Sequence, residues 1–487
     1  MKKNSFYIWL WGILFICSSC HDFFKESSQD LIKPSSIEDL RSVMYKEAYP
    51  YQFASDNYLM LLTDEIQCNG LLNDKYGTQH ENGTPIFTFN PMMFDGGEVF
   101  PGDDVNSWKI YYEKIKGCNV IIDYVSEVSG TEQEKNALLG QAMLLRGYYH
   151  LKLAMIYCQA YNVSGVNPEV TLGVPLMLTM DLTDEFPERP SLKVLYNQIE
   201  KDLLEATLLL EENYTPESVY RVGDIAAYVL LSRFYLFRGG EEDWDKAIQY
   251  AGKAIEEGPM LSRLSIFSGT DKSIYDSDVS SEVVWCYGSK SFRAQSAIYF
   301  VTVGYQETVP WSISTELLGQ YAPDDLRSNV YFSSQLVKGT YGNKIGHNSS
   351  YGGDHGIRMA EAYLNRAEAL TRRFQVKGDG NDRVQALNDL NTLRETRYAT
   401  GTYVAEEITD AQDLLDFCLK ERRLELCVEE GFRWFDIKRF GLSVTHKYID
   451  SGGVEREYVL ENNSLLYALP IPYDAIERNY KLKQNPR

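Results

Sequence analysis

Two glutamates one helical turn apart, Glu421 and Glu425, lie in the stretch ERRLELCVEEGFRWFDIKRFG, residues 421–441. The same stretch holds Glu429, Glu430 and Asp436, with Arg422, Arg423, Arg433, Lys438 and Arg439 among them. Carboxyl groups at i and i+4 stand about 6 Å apart on one helix face. That approaches the separation of about 5–5.5 Å used by retaining glycosidases, and neighbouring like charges push one pKa upward. A glycoside hydrolase using Glu421 and Glu425 is therefore one reading. On a wheel of about 100° per residue, however, both glutamates fall on the arc of Leu414, Phe417, Cys418, Leu424 and Val428. Leu415, Leu419 and Leu426 share the adjacent arc with Arg422. Glycosidase sites are open clefts, and this face is apolar. Buried carboxylates need partners; Arg422, Arg433 and Arg439 are close in sequence, and Arg366 lies on another amphipathic segment. The expectation is structural: these charges neutralise one another inside a helical frame.

The frame is legible as a series of helices. Ser35 or Ser36 caps IEDLRSVMYKEAY. Ser107 opens WKIYYEKIKGCNVIIDYV. In EQEKNALLGQAMLLRGYYHLKLAMIYCQAY, Leu138, Ala142, Leu145, Tyr149, Leu153 and Ile156 form one apolar stripe at helical period. SLKVLYNQIEKDLLEATLLL is capped by Ser191. DIAAYVLLSRFYLFRG, a turn at GEED, and WDKAIQYAGKAIEEG then make a helix pair whose second member repeats Ala247, Ala251 and Ala254. This pair resembles a tetratricopeptide unit, a helical hairpin of about 34 residues. GIRMAEAYLNRAEALTRR with DRVQALNDLNTLRETRY is a second such pair. The last helix, DAQDLLDFCLKERRLELCVEEG, is expected to end at Gly431 as its C′ residue. Between the pairs, residues 261–353 lose helical patterning, and VVWCYGSK and AIYFVTVGY suit strands or extended loops. Residues 68–106, rich in Gly, Asn and Asp, read as a long functional loop.

The 487-residue chain carries a net charge of −21, a poor match to nucleic acid, which calls for a basic footprint. Residues 1–20, MKKNSFYIWLWGILFICSSC, form a charged head, a short apolar run and small residues before Cys20, the pattern of a signal peptide. The run from Phe6 to Cys17 is shorter than the roughly 20 residues that span a bilayer. Small residues before Cys20 resemble a lipobox, with Cys17 standing at −3 where Leu is usual. Cys20 is thus expected to be lipidated, with residues 21–36 as a tether. The other six cysteines are scattered, with no CxxC and no His at metal spacing. Together with the absence of any HExxH, this leaves no expected metal and no cofactor. GDDVN is acidic but lacks the spacing of a calcium loop. Tyr alone contributes 35 residues; since each buried hydroxyl needs a partner, the surplus suggests polar-ended helix contacts or a stacking surface.

EAYLNRAEALTR, ALNDLNTLRETRY, ERRLELCVEEGFRWFDIKRFG and LYALPIPYDAIERNYKLKQNP occur in that order. Together they resemble the C-terminal signature of the RagB/SusD family of Bacteroidetes lipoproteins. CHDFF, WKIYYEKIKGCNVII, AMLLRGYYHLKLAMIYCQAY before GVP, and YNQIEKDLLEA agree for the N-terminal half, so the likeness spans nearly the whole mature chain. The chain ends QNPR where the family often has QNPGY. The resemblance implies a mostly α fold, tetratricopeptide-like hairpins as scaffold, and irregular loops with a few short strands carrying the ligand. It implies an outward-facing, lipid-anchored protein of the outer membrane, with no enzymatic activity. Such a protein captures glycan, or in some members peptide, and passes it to a TonB-dependent, SusC-like transporter barrel. Residues 37–487 would then be one body, with 261–353 the ligand region and 354–487 the signature region. A scaffold binding only the transporter is a third possibility.

Sugars stack on exposed rings, so loop aromatics are the ligand candidates. The first loop offers Tyr76, Phe94 and Phe100, with Asn69, Asn90 and Asp95 as polar partners. The second offers Tyr287, Phe292, Arg293, Tyr305 and Trp311. Trp285 is expected in the core of a strand.

Overall fold

A computed structural model describes residues 33–50, 55–71, 74–95, 106–180, 186–267, 273–288, 309–333, 341–342, 344 and 355–487. Helix α1, Ile37–Val43, starts at Ser36 with a reciprocal capping box to Asp39 and continues as a wider turn, Met44–Ala48. Next come α2, Gly77–Phe87, α3, Ser107–Tyr124, and α4, Glu132–Tyr157. Then follow α5, Leu192–Asn213, α6, Asp224–Arg238, and α7, Glu241–Glu257. The C-terminal part holds α8, Met359–Lys377, α9, Gly380–Arg397, α10, Ala411–Leu426, α11, Phe432–Phe440, and α12, Tyr473–Arg478.

Local sequence explains these boundaries. Thr131 and Glu134 form a capping box at the start of α4, and Ser191 Oγ accepts the Val194 N–H at the start of α5. Asn106, not Ser107, caps α3; Ser107 is the first helical residue, and its hydroxyl donates to Ser55 O at 2.8 Å. From Leu138 onward α4 is buried almost all round, which makes it the central rod. It meets α5 closely at Gly147, where a Cβ would stand 2.8 Å from Leu203. Arg146 and Asp202 are paired in a two-pronged contact across that interface, both distances 2.8 Å.

The α6–α7 turn is Gly239–Gly240, both at positive φ, and the acidic residues of GEED already belong to α7. Ala247, Ala251 and Ala254 are fully buried, which lets α7 approach both α6 and α8. The two hairpins, distant in sequence, therefore pack side by side in space; α7 ends at Glu257 and α8 begins at Met359. Among the described residues, nearly all buried apolar side chains belong to one cluster that runs from Ile37 to Leu482, with Tyr76 and Val309 in a small satellite.

Among the described residues, four antiparallel two-stranded sheets decorate the helices. They pair β1, Ile66–Cys68, with β3, Trp311–Ile313, and β2, Val283–Tyr287, with β6, His355–Arg358. The others pair β4, Phe332–Ser333, with β5, Tyr341–Gly342, and β7, Val444–Ile449, with β8, Glu455–Leu460. The expectation of an unbroken loop over 68–106 is corrected by α2. Its modest apolar content is matched to neighbours: His80, Ile86 and Phe87 are buried against β3 and β7.

Candidate functional site

Helix α10 starts at Asp410, whose carboxylate accepts the N–H groups of Gln412 and Asp413. It ends at Leu426, short of the expected Gly431. Over the next five residues Val428, Glu430 and Gly431 take positive φ values of 50°, 50° and 78°. A β-branched residue in that region is strained. Two things hold the bend. Glu65 Oε2 accepts the Val428 N–H at 2.9 Å, and Lys344 donates to the carbonyls of Glu425 and Cys427 at the helix end. The bend turns Glu429 and Glu430 toward different partners, and Gly431 becomes the residue that opens α11.

Glu425 is fully enclosed. Arg397 grips it from Nη2 at 2.8 Å and Nε at 3.0 Å, and Arg358 Nη1 lies at 3.0 Å. Arg327 Nη1 lies at 3.6 Å, and the Tyr331 hydroxyl donates at 2.9 Å. Glu421, 2 % exposed, meets Arg327 at 2.9 Å and Arg394 at 3.3 Å. Glu282 bridges Arg358 and Arg397 at 2.5 and 3.0 Å. Glu429 takes Lys344 and Arg358, both at 2.6 Å, and the Tyr275 hydroxyl at 2.8 Å. Asp325 completes the set on Arg327 at 2.6 Å. Five carboxylates (Glu282, Asp325, Glu421, Glu425, Glu429) thus face five cations (Arg327, Lys344, Arg358, Arg394, Arg397).

Burial alone pushes Glu425 up, but Arg397 and then Arg358 outweigh it and hold the group well below the usual carboxylate range. Glu429 is lowered in the same way: burial opposes, and Arg358 and Lys344 prevail. Glu430 forms a neighbouring set with Lys152 at 3.0 Å, the hydroxyls of Tyr148 and Tyr287, and the Gly356 N–H. Despite burial it is lowered to about 2, chiefly by Lys152.

The partners of Glu421 and Glu425 are not those expected from sequence. Arg422 pairs with Asp436 at 3.2 Å and with Asn365, and Arg433 pairs with Asp64 at 2.6 Å. Arg439 pairs with Glu368 and Asp436, and Arg366 with Asp389. Adjacent residues on a helix diverge in direction, so Arg422 cannot face its own neighbour Glu421. Arg394 and Arg397 were the readable signal: two arginines three apart, on the inner face of the helix that packs against α10.

The arrangement is a clamp. Arg327, Tyr331, Lys344 and Glu282 come from the loop-rich region; Arg394, Arg397, Glu421 and Glu425 come from α9 and α10. The network fastens that region to the helical scaffold, and solvent does not reach the glutamate pair.

The candidate rings that the structure describes are interior. Trp311 is fully buried, stacked 5.6 Å from His80, with its Nε1 donating to Gln79 O. The Tyr287 hydroxyl donates to Glu430 at 3.0 Å, and its ring lies against Trp285, itself buried as expected. Phe94 sits edge-on to Tyr58, and Tyr76 packs with Val309 and Leu71. This corrects the picture of four open platforms at Tyr76, Phe94, Tyr287 and Trp311: large apolar rings are drawn into the core unless the surrounding chain holds them out. Asn69 is buried too, donating to Val309 O and Ser312 Oγ, Asn90 caps the turn at Met92, and Asp95 pairs with Arg487. Phe100, Phe292, Arg293, Tyr305 and the lipidation candidate Cys20 lie outside the described residues. Among the described residues the large exposed rings are Phe186, Tyr473 and Tyr480, none of which stood out in the sequence.

Residues 43–236 match the model of a SusD-like family described as starch-binding and associating with the outer membrane; residues 280–487 match the model of the SusD family. The chain belongs to the SusD family. Over 132 residues it is 35% identical to the starch-binding protein SusD of Bacteroides thetaiotaomicron, covering 26% of this chain and 20% of that protein. The match thus spans about a fifth of that relative's length. A SusD superfamily protein of known structure from Bacteroides thetaiotaomicron superposes with a TM-score of 0.71 at 21% identity, covering 93% of this chain and all of the other. A SusD-like carbohydrate-binding protein from Bacteroides vulgatus superposes with a TM-score of 0.65 at 19% identity, covering 92% and 98%. These superpositions establish the mostly helical SusD fold.

Proposed function

We propose that this SusD-family chain is a cell-surface lipoprotein that captures oligosaccharide or polysaccharide and hands it to a TonB-dependent, SusC-like transporter, without catalysing a reaction on it. The observation that carries the reading is the sealing of Glu421 and Glu425. The residue pair best spaced for glycoside hydrolysis is enclosed, and each member faces at least two guanidinium groups. Neither carboxyl can take up or release a proton at a bound sugar from there. The starch-binding and carbohydrate-binding descriptions of the relatives support glycan as the ligand, and the family's description supports the outer membrane as its place.

In this reading residues 1–20 are removed, Cys20 carries the lipid, and 21–36 tether one body, 37–487. The clamp gives the ligand-bearing region, 261–353, a rigid base. Phe292, Arg293 and Tyr305 there, with Phe100 from the first loop, are proposed as ligand contacts. Native electrophoresis in gels cast with soluble polysaccharides, with a reducing-sugar assay on the same mixtures, tests the reading. Retardation without release of reducing ends is expected. Release that disappears in Glu425→Gln would establish a hydrolase instead, and binding of peptides alone would move the ligand class to peptide.

A further inference from the structure

Helix α9 has two working faces. The inner one sends Arg394 and Arg397 into the clamp. The outer one, with Asn388, Asn391, Thr392 and Glu395 at successive turn positions, borders a groove of about 600 Å³ closed on its other side by residues 399–405. This volume lies within the range of small-ligand sites, about 300–1,000 Å³.

Tyr403 lines the groove and is held in place. Its hydroxyl donates to Asn391 Oδ1, and Asn391 also bonds the Glu406 backbone through both ends of its amide. Arg394 lies 5.4 Å from the ring centroid and Tyr398 packs at 5.2 Å, so the ring is braced from within. Its rotamer entropy is already lost before any ligand arrives, which favours binding. The side chains of Asn388 and Thr392, both exposed, have no hydrogen-bond partner among the described residues. They present a carboxamide and a hydroxyl, each able to donate and accept. The groove's formal charges cancel: Arg263 pairs with Glu395 at 3.2 Å.

We infer that this groove is a second saccharide subsite, taking a neutral sugar unit against Tyr403 with its hydroxyls on Asn388 and Thr392. A ring beside two-way hydrogen-bonding groups suits a sugar, whose C–H face is apolar and whose rim both donates and accepts. The internal ion pair disfavours phosphate, carboxylate or cationic ligands, which would leave one partner unmatched. The inference rests on the glycan-capture reading and adds a contact carried by the helical scaffold itself.

Wild type, Asn388→Ala, Thr392→Ala and the double variant would be run in native gels containing amylopectin, galactan, arabinoxylan or levan. Both substituted side chains are exposed, and matching thermal melts verify the fold. The expected result is that a polysaccharide retarding wild type binds the double variant roughly tenfold more weakly, as two lost hydrogen bonds imply, with each single variant intermediate. Equal retardation of wild type and double variant overturns the subsite while leaving glycan capture intact. No retardation of wild type by any of the four overturns both.

Discussion

Replacing Glu425 with Gln isolates the clamp's electrostatics, because the amide keeps the side chain's shape and one accepting oxygen. In the wild type, Arg397 and Arg358 lie at 2.8 and 3.0 Å and Arg327 at 3.6 Å. At an effective dielectric of about 20, each such contact carries about 5 kcal/mol of raw Coulomb energy. Most of that offsets the desolvation of the ions. What remains visible on deleting one buried partner is typically about 3–5 kcal/mol, because the guanidinium groups stay behind uncompensated. Urea unfolding at pH 7, followed by circular dichroism and by tryptophan fluorescence, should show Glu425→Gln less stable by about that amount. The acid limb should change too. A carboxylate lowered in the fold contributes stability that is present above its unfolded value and disappears as pH falls through the folded one. The variant lacks that contribution, so its stability should fall less steeply below about pH 4.5. A loss under about 1 kcal/mol, or a gain, would contradict the clamp, since functional carboxylates held without partners are the ones whose removal costs little or stabilises.

Glu65 behaves in the opposite sense. Burial pushes its carboxyl up to about 7, with the Val428 N–H, its chief hydrogen-bond donor, only partly countering. The folded state therefore holds a proton that the unfolded chain releases, and stability should decline from about pH 4.5 to 7 by roughly 3 kcal/mol. Denaturant midpoints measured across that window should flatten in Glu65→Gln; an unchanged slope would place the titration elsewhere. Gly117 packs directly on the backbone of Glu47, and a Cβ there would stand 2.5 Å from the carbonyl carbon. Gly117→Ala should cost about 1–3 kcal/mol through displacement of α3, read as a lowered melting temperature; an unaltered melt would mean that the contact is loose.

Much of this protein was readable locally. Helical period, Ser, Thr and Asp caps and small-residue spacing act within a turn or two of chain, so α4, α5 and the two hairpins were visible in the residues themselves. So was the placement of Glu421 and Glu425 on an apolar arc, and with it their burial. Tertiary structure alone decided which charges they meet, because Arg397, Arg358 and Arg327 reach α10 from segments 28, 67 and 94 residues away. It also decided the bend after Leu426, which depends on Glu65 and Lys344 from distant strands and loops. Ring exposure followed the same logic. A tyrosine or tryptophan in a Gly- and Asn-rich stretch has no local mark of inside or outside. Trp311 went inside because α2 closed over it with His80 and Phe87, and Tyr403 stayed at a groove because α9 held it there.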